Sequence, residues 1–159
     1  MRIPSYTGLL FFALAAINGT AGATGATTTV PMVDKGLATF YVEAEITGVG
    51  PVDLLVDTGS GYVAINQAAL DTLLREERAG YVKDLIGVLA DGSELVVPIY
   101  SLDSLRIGTE CWLHDVEAAV FPGESRFILG LSALQKAGSF YFDFDPPTLT
   151  LSRCETARS

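Results

Sequence analysis

The chain of 159 residues is long enough for one domain with a hydrophobic core of its own. Hydrophobic residues make up 49% of it and charged residues only 18%, which excludes a disordered chain or a charged helical array. The formal net charge of −9 disfavours a nucleic-acid partner, because binding to phosphates calls for basic clusters.

The first 23 residues have the pattern of a signal peptide. Met1-Arg2 supplies a positive start, Leu9–Ile17 an apolar core, and residues 21–23 (Ala-Gly-Ala) a small-residue cleavage site. The apolar core is far shorter than the roughly 20 residues that span a bilayer. We therefore expect an exported protein, periplasmic or secreted, with membrane association only if this segment stays uncleaved.

The next segments predict a polar N-terminal lead-in followed by two strands. Residues 24–36 are small and polar, and we expect a flexible lead-in in which Val30 and Met32 can pair as an edge strand. Residues 39–47 alternate between apolar and polar positions, which predicts a half-buried strand. After a glycine turn, residues 52–56 predict a more fully buried strand that ends in an aspartate.

A further short strand over 62–65 leads into a predicted helix. Asn66 is a good N-cap residue, so we expect a helix over 67–79 that ends at Gly80. The apolar face of this helix comprises Leu70, Leu73 and Leu74.

Short apolar runs separated by turn residues continue to the end of the chain. They predict a hairpin over 85–100 that turns at Asp91-Gly92, strands over 111–121 and 127–129, a short helix over about 131–137 and a final hairpin over 140–151. We expect one mostly β domain over residues 37–152, most simply a closed barrel with one or two short helices. A polar C-terminal tail over 153–159 follows it.

The stretch VDLLVDTGSGYVAI, residues 52–65, places an aspartate at the end of an apolar strand. A carboxylate in that position is unfavourable unless it is hydrogen-bonded or serves some chemistry. Asp, Gly and Ser are also ordinary turn residues, so a plain hairpin turn is the alternative interpretation. The rest of the chain has to decide between the two.

Three segments around and after this stretch carry a family resemblance: LLVDTGSGYVAI, the hairpin GVLADGSEL, and FILGLSALQKAGSFYFDFDPPTLTL. From about Thr39 to Leu151 the chain resembles the retropepsin-like aspartic proteases, the single-lobed, homodimeric relatives of pepsin, and in particular their exported bacterial branch. The resemblance implies a closed acid-protease β-barrel with a flap hairpin.

The resemblance also assigns roles to the residues of the motif. Asp57 is the candidate catalytic carboxylate, one of two that share a proton and hold a water molecule. The Thr58 hydroxyl would brace two active loops against each other across the two-fold axis of the family. Gly59 leaves room for backbone amides to approach the carboxylate. Ser60 would donate a further hydrogen bond to it.

The second carboxylate is not found in the same chain. Of the ten aspartates, only Asp57 is followed by Thr-Gly or Ser-Gly. Asp53 lies on the same strand about 13 Å away, too far for proton sharing, and Asp143 and Asp145 lack the glycine turn. One chain thus holds half a site, and a symmetric homodimer would bring two copies of Asp57 together. We expect the monomer to be inactive.

Two other elements each allow a functional and a structural interpretation. The hairpin tip at Ala90, Asp91 and Gly92 is either a flap that closes over an extended substrate or a plain surface hairpin. Leu129 and Gly130 match the hydrophobic-hydrophobic-glycine segment that packs beneath the catalytic loop in the family. Alone they are an ordinary core strand.

The chain ends depart from the pattern of the viral relatives, whose dimers are held largely by interleaved chain ends. Here the last eight residues, SRCETARS, are polar apart from Cys154, and the lead-in is rich in threonine. The mode of dimerisation is therefore open at this point.

The chemistry-bearing residues outside the motif are few. Cys111 and Cys154 are the only cysteines. They form an intrachain disulfide, remain two separate buried thiols, or form a disulfide between two chains. With His114 as the single histidine, the sequence offers no credible metal site, and we expect no metal or organic cofactor.

Three functions remain. The first is an exported homodimeric aspartic endopeptidase that acts on extended polypeptide. The second is a catalytically silent relative that binds peptides or partner strands in the groove. The third is a structural β domain in which Asp-Thr-Gly is only a turn.

Overall fold

Most of the chain forms one strongly curved sheet and a smaller one. The computed structural model describes residues 25–88 and 94–157. Its elements are β1 (Ala26–Pro31), β2 (Val33–Asp34), β3 (Phe40–Ile46), β4 (Gly50–Val56), β5 (Val63–Asn66), α1 (Gln67–Arg75), β6 (Ala79–Val88), β7 (Glu94–Ile107), β8 (Cys111–Phe121), β9 (Ile128–Leu129), α2 (Leu131–Lys136), β10 (Phe140–Phe144) and β11 (Pro147–Cys154).

The larger sheet closes into a barrel of six strands. Its order is β2-β3-β4-β9-β5-β8-β7-β6, and β3 also pairs with β7, for example Ala44 with Ile107. The alternation predicted for β3 is confirmed, with Val42, Ala44 and Ile46 buried. The mostly β, closed-barrel fold with two helices is therefore confirmed. Its interior is filled by large aliphatic side chains, among them Ile46, Leu54, Ile65, Leu105, Ile107, Leu113 and Leu129.

Both chain ends belong to the folded structure, and the edge strand expected around Val30 is present as β1. The lead-in expected to be flexible over 24–36 contains β1, which pairs antiparallel with β11. Val30 and Met32 are only 3% and 6% exposed, so burial of these two side chains anchors the segment. At the other end β11 continues to Cys154, into the residues assigned to the polar tail. Together β1, β11 and β10 form a three-stranded sheet.

Helix α1 begins as predicted and ends earlier. The Asn66 side chain caps it by accepting a hydrogen bond from the Ala69 N–H at 2.9 Å. The helix ends at Arg75 rather than at residue 79, because Glu77 adopts a left-handed conformation (φ 55°) and residues from Ala79 onward pair with β7. Leu74, predicted on the apolar face, is 43% exposed.

Several predictions concern residues outside the described ranges. The hairpin predicted over 85–100 is present as β6 and β7, but its tip at Ala90, Asp91 and Gly92 lies outside them. The proposed signal peptide, residues 1–23, lies outside them as well. No helix within the described ranges combines the length and the apolar character needed to cross a membrane.

Cys111 and Cys154 form an intrachain disulfide that joins the start of β8 to the end of β11. Beyond it the chain continues along β8, where Glu155 and Trp112 exchange backbone hydrogen bonds. The bond closes a loop of 43 residues, which contains strand β8, helix α2 and the strands β10 and β11 of the smaller sheet. It therefore ties the smaller sheet to the barrel.

Replacement of both cysteines by alanine is expected to lower the free energy of unfolding by about 2–4 kcal/mol, because the unfolded chain loses a constraint over a long loop. Denaturant unfolding of the oxidised protein and of the double variant measures this difference. Reducing agent should destabilise the wild type and leave the variant unchanged. Equal unfolding midpoints for the two oxidised proteins would contradict the expectation.

Candidate active site

The Asp-Thr-Gly sequence lies in a turn that crosses over a buried strand. We call residues 57–62 the DTG turn, which connects β4 to β5. Strand β9 runs between these two strands, parallel to β4 and antiparallel to β5. The Asp57 N–H donates to the Leu129 carbonyl at 3.2 Å, so the turn starts directly beside the end of β9. Leu129 itself is fully buried.

Gly130 lies beneath the DTG turn at a distance that only glycine allows. A Cβ atom at this position would lie 2.0 Å from the carbonyl oxygen of Tyr62 and 2.9 Å from that of Ser60. Both contacts are with backbone atoms, which cannot move aside as a flexible side chain can. Leu129 and Gly130 therefore lie directly beneath the DTG turn.

The first turn of helix α2 hydrogen-bonds the DTG turn. The Leu131 N–H donates to the Ser60 carbonyl at 2.8 Å, and the Ser132 N–H donates to the Gly61 carbonyl at 3.0 Å. The first N–H groups of a helix lack partners within the helix, and Gly130 supplies no side-chain cap. The carbonyls of the DTG turn thus accept the hydrogen bonds of these helix N–H groups, and the same bonds hold the DTG turn in place.

Asp57 is held by its own turn. The Gly59 N–H donates to Asp57 Oδ1 at 2.8 Å, and the Ser60 N–H donates to the Asp57 carbonyl at 3.2 Å. A Cβ on Gly59 would lie 3.1 Å from the same carboxylate oxygen, a close contact that glycine avoids. Asp57 is half-buried, whereas Thr58 and Gly59 are exposed.

The Thr58 hydroxyl, predicted to brace two loops across a two-fold axis, has no hydrogen-bond partner among the described residues of the single chain. It lies on the exposed side of the turn, next to the carboxylate.

The role predicted for Ser60 is wrong in this structure. Its hydroxyl donates to the Tyr62 carbonyl at 2.7 Å and not to the Asp57 carboxylate. The turn folds back and brings that carbonyl within reach of the Ser60 side chain. Ser60 therefore stabilises the second half of the turn.

Ser132 is a supporting residue that the sequence analysis missed. Its hydroxyl accepts from the Val63 N–H at 2.8 Å and donates to the Glu117 carbonyl at 2.6 Å. It therefore links the start of β5, just after the DTG turn, to β8. Its position in the first turn of a predicted helix could have indicated a supporting role. Its hydrogen-bond partners, however, are 15 and 69 residues away in the sequence.

Tyr62 connects the DTG turn to the β6–β7 hairpin. The Lys83 ammonium on β6 lies 5.5 Å from the centre of the Tyr62 ring and 3.6 Å from a Glu117 carboxylate oxygen. Hydrogen bonding to the Tyr62 side chain, and next the Glu117 charge, raise the pKa of Lys83 above its usual value. The lysine side chain thus contacts both the DTG turn and β8 from its place on β6.

No other carboxylate in the described ranges pairs with Asp57. Asp53 forms an ion pair with Lys35 at the surface, and Asp143 and Asp145 lie exposed on or beside β10. In the described ranges the Asp57 side chain accepts one hydrogen bond, from the Gly59 N–H, and has no ion-pair partner. The same ranges contain no group of three or more His, Cys, Asp or Glu side chains that could hold a metal ion.

Two surface clefts formed by the described residues are lined by residues other than Asp57. The larger, about 680 Å³, lies along β3 and β4 near the Glu45–Arg106 ion pair. The smaller, about 540 Å³, lies behind the DTG turn, between Gly61 and Arg153.

Comparisons with known proteins agree with the fold and the motif. A family model described as aspartyl protease matches residues 42–133, more than half of the chain. Among solved structures, a retropepsin-like aspartic protease from Rickettsia conorii is similar at a TM-score of 0.55 and 20% identity, over 79% of this chain and 90% of that one. No curated protein sequence matches. The retropepsin-like resemblance predicted from the sequence is thus confirmed.

Gly130→Ala is expected to destabilise the fold by at least about 3 kcal/mol, because the new methyl group overlaps the backbone of the DTG turn. Thermal and denaturant unfolding measure the loss. Gly61→Ala is the matched control within the turn, since a Cβ there meets nothing within 4 Å. Equal stability of the two variants would show that the turn does not rest on Gly130.

Proposed function

The chain belongs to the aspartyl protease family, and we propose that it is an endopeptidase that acts as a homodimer with one Asp57 from each chain. The observation that carries this proposal is the DTG turn, in which a single half-buried carboxylate per chain is held by a backbone N–H beside exposed Thr58 and Gly59. A pair of such turns would complete the site.

In the proposed dimer the two carboxylates share one proton. Two like charges at hydrogen-bond distance cannot both ionise readily, so one carboxylate keeps a proton and the other is ionised. The ionised one takes a proton from a bound water as the water attacks the scissile carbonyl. The protonated one hydrogen-bonds the carbonyl oxygen and stabilises the charge that develops there. Neither a metal nor an organic cofactor is needed for these steps.

The backbone of the turn supports this chemistry. The Gly59 N–H donates to Asp57 Oδ1 at 2.8 Å and so fixes the orientation of the carboxylate. The hydroxyl of Thr58 is free within the described chain, and in the proposed dimer it would bond the turn of the other copy. Ser60 and Ser132 act behind the carboxylate, by holding the turn and the strand that follows it.

The proposed substrate is polypeptide in an extended conformation. Beside the DTG turn, Tyr62 packs with half-buried apolar residues of the hairpin and of β8, namely Leu85, Leu95 and Phe121, around a small buried cluster. This surface suits apolar side chains of a substrate, and the hairpin strands offer backbone groups for strand pairing. We propose that the hairpin acts as the flap, with Ala90, Asp91 and Gly92 at its tip.

We also propose that the protein acts after export. The intrachain Cys111–Cys154 disulfide supports this location, because disulfides persist in oxidising compartments. The signal-peptide pattern of residues 1–23 points the same way.

Asp57→Asn is expected to lower peptide cleavage by at least about 100-fold, because the amide can neither share the proton nor act as a base. Digestion of a peptide library at several pH values, read by mass spectrometry, measures the rate. Asp53→Asn is the matched control, since Asp53 lies on the same strand and is engaged by Lys35. The control is expected to keep the wild-type rate.

Two results would contradict the proposal. Cleavage that persists in Asp57→Asn would remove the mechanism. Peptide binding without cleavage by the wild type would favour the catalytically silent relative.

Wild-type protein mixed with an excess of Asp57→Asn should lose activity, because mixed dimers carry only one Asp57 carboxylate.

The dimer is expected to tighten as salt rises, because each chain carries a net charge of −9 and the copies repel one another. The screening length falls from about 30 Å at 0.01 M salt to about 8 Å at 0.15 M. Sedimentation of the Asp57→Asn protein over a range of concentrations measures the dissociation constant without self-digestion. A solitary chain at all concentrations and salt levels would rule out the shared site.

A further inference from the structure

A β-bulge in β6 directs the side chain of Lys83 toward the barrel. Tyr81 pairs with Tyr100 and Lys83 pairs with Ile99, so Val82 is an extra residue with no partner on β7. Because cross-strand partners share a face of the sheet, Lys83 lies on the face of Ile99, opposite to the face of Tyr81. The rings of Tyr81 and Tyr100 accordingly contact each other on that other face, with centres 5.6 Å apart. The bulge thus re-aims Lys83.

We call the face that Lys83 shares with residues 85, 95, 97 and 99 the inner face of the β6–β7 hairpin. It packs on the barrel, since Val97 and Ile99 are only 8% and 0% exposed. The opposite face is open, and its cross-strand pair Ile86 and Val96 are 66% and 59% exposed. Lys83 is the one charged side chain among the five residues of the inner face. The hairpin therefore rests on the barrel through one face that carries a single charge.

The Lys83 side chain contacts two elements of the barrel at once. Its ammonium lies 5.5 Å from the centre of the Tyr62 ring, at the end of the DTG turn, and 3.6 Å from a Glu117 carboxylate oxygen on β8. The Glu117 carbonyl accepts from the Ser132 hydroxyl, which also accepts from the N–H of residue 63. The residues that Lys83 contacts are therefore themselves fixed close to the DTG turn.

These contacts supply what the backbone of β6 lacks. As the last strand of the larger sheet, β6 pairs with β7 alone. Within residues 83–88 and 94–99, Lys83 forms the only side-chain ion pair with the barrel. The lysine side chain is 44% exposed, so each of its contacts is of modest strength. Together they tie an edge strand directly to the turn that carries Asp57.

We propose that Lys83 is a positioning residue for peptide cleavage, which holds the inner face of the β6–β7 hairpin in place beside the DTG turn. This inference rests on the proposed function and deepens it. The apolar surface around Tyr62, Leu85 and Phe121 is then formed before a peptide arrives. A preformed surface loses less conformational freedom when a peptide binds, which favours binding. Loss of Lys83 therefore weakens substrate binding and leaves the chemical step nearly unchanged.

Lys83→Met tests this role, because it removes the charge and keeps an unbranched apolar side chain. KM for a peptide found in the library digest is expected to rise by about 3- to 30-fold, the combined effect of an exposed ion pair and a cation–π contact. The expected change in kcat is less than about twofold, because uniform binding is lost and not a reacting group. Lys83→Arg is expected to keep most of the wild-type KM, since a guanidinium keeps the charge and also stacks on aromatic rings.

Lys35→Met is the matched control for these kinetics. Lys35 makes the same two kinds of contact, since its ammonium lies 4.6 Å from the centre of the Tyr41 ring and forms an ion pair with Asp53. The control therefore loses the same charge and the same contacts away from the hairpin, and it is expected to keep the wild-type KM. An equal rise of KM in the two variants would assign the effect to net charge and overturn the role of Lys83.

Two measurements in the Asp57→Asn background test the role without catalysis. Fluorescence anisotropy of the same labelled peptide is expected to show a dissociation constant raised by about 3- to 30-fold in Lys83→Met. Amide hydrogen exchange is expected to be faster by a similar factor for the N–H groups that join β6 to β7, since the edge strand then detaches more often. Exchange in the β3–β4 ladder is expected to stay unchanged.

The failure of this inference is distinguishable from failure of the proposed function. Unchanged KM, dissociation constant and exchange in Lys83→Met would overturn the positioning role, while cleavage by the wild type and its loss in Asp57→Asn would stand. A lower kcat at constant KM would also overturn it, since Lys83 would then act on the chemical step. Cleavage that persists in Asp57→Asn would instead overturn the proposed function, whatever the effect of Lys83→Met on peptide binding.

Discussion

Close backbone contact between Gly130 and the DTG turn is the constraint on which the candidate site depends. Because position 130 has no side chain, the Ser60 and Tyr62 carbonyls lie against it, and the first N–H groups of α2 reach the turn. The same contact keeps β9 between β4 and β5. The conformation of Asp57 is therefore set by the barrel core rather than by the turn sequence alone.

The sequence predicted what local patterns encode. Alternation identified β3, Asn66 identified the start of α1, and Asp-Thr-Gly after an apolar strand identified the turn. Long-range contacts decided the rest. Helix α1 ends early because the residues from Ala79 onward join β7, and no pattern within the helix records that pairing. The polar lead-in forms β1 because Val30 is buried in the core against residues distant in sequence.

In the candidate site, too, local features were predictable from the sequence and long-range contacts were not. Asp57 and Gly59 were identified by type and spacing, and the hydrogen bond between them is local. Ser60 was assigned the wrong acceptor because the path of the turn beyond it is set by Gly130 and α2. Ser132 was missed because its partners, Val63 and Glu117, lie on strands that only the folded barrel brings together.

The pairing of β11 with two strands of its own chain bears on how two copies would associate and dissociate. In an assembly built from interleaved termini, separation leaves each half with frayed ends. Here the terminal strand keeps both of its neighbours and its disulfide when the chain is alone. In the proposed homodimer, two copies would therefore separate and reassociate as intact bodies, at a rate set by docking rather than by refolding. Dilution would then act as a reversible off-switch for an activity that needs both copies.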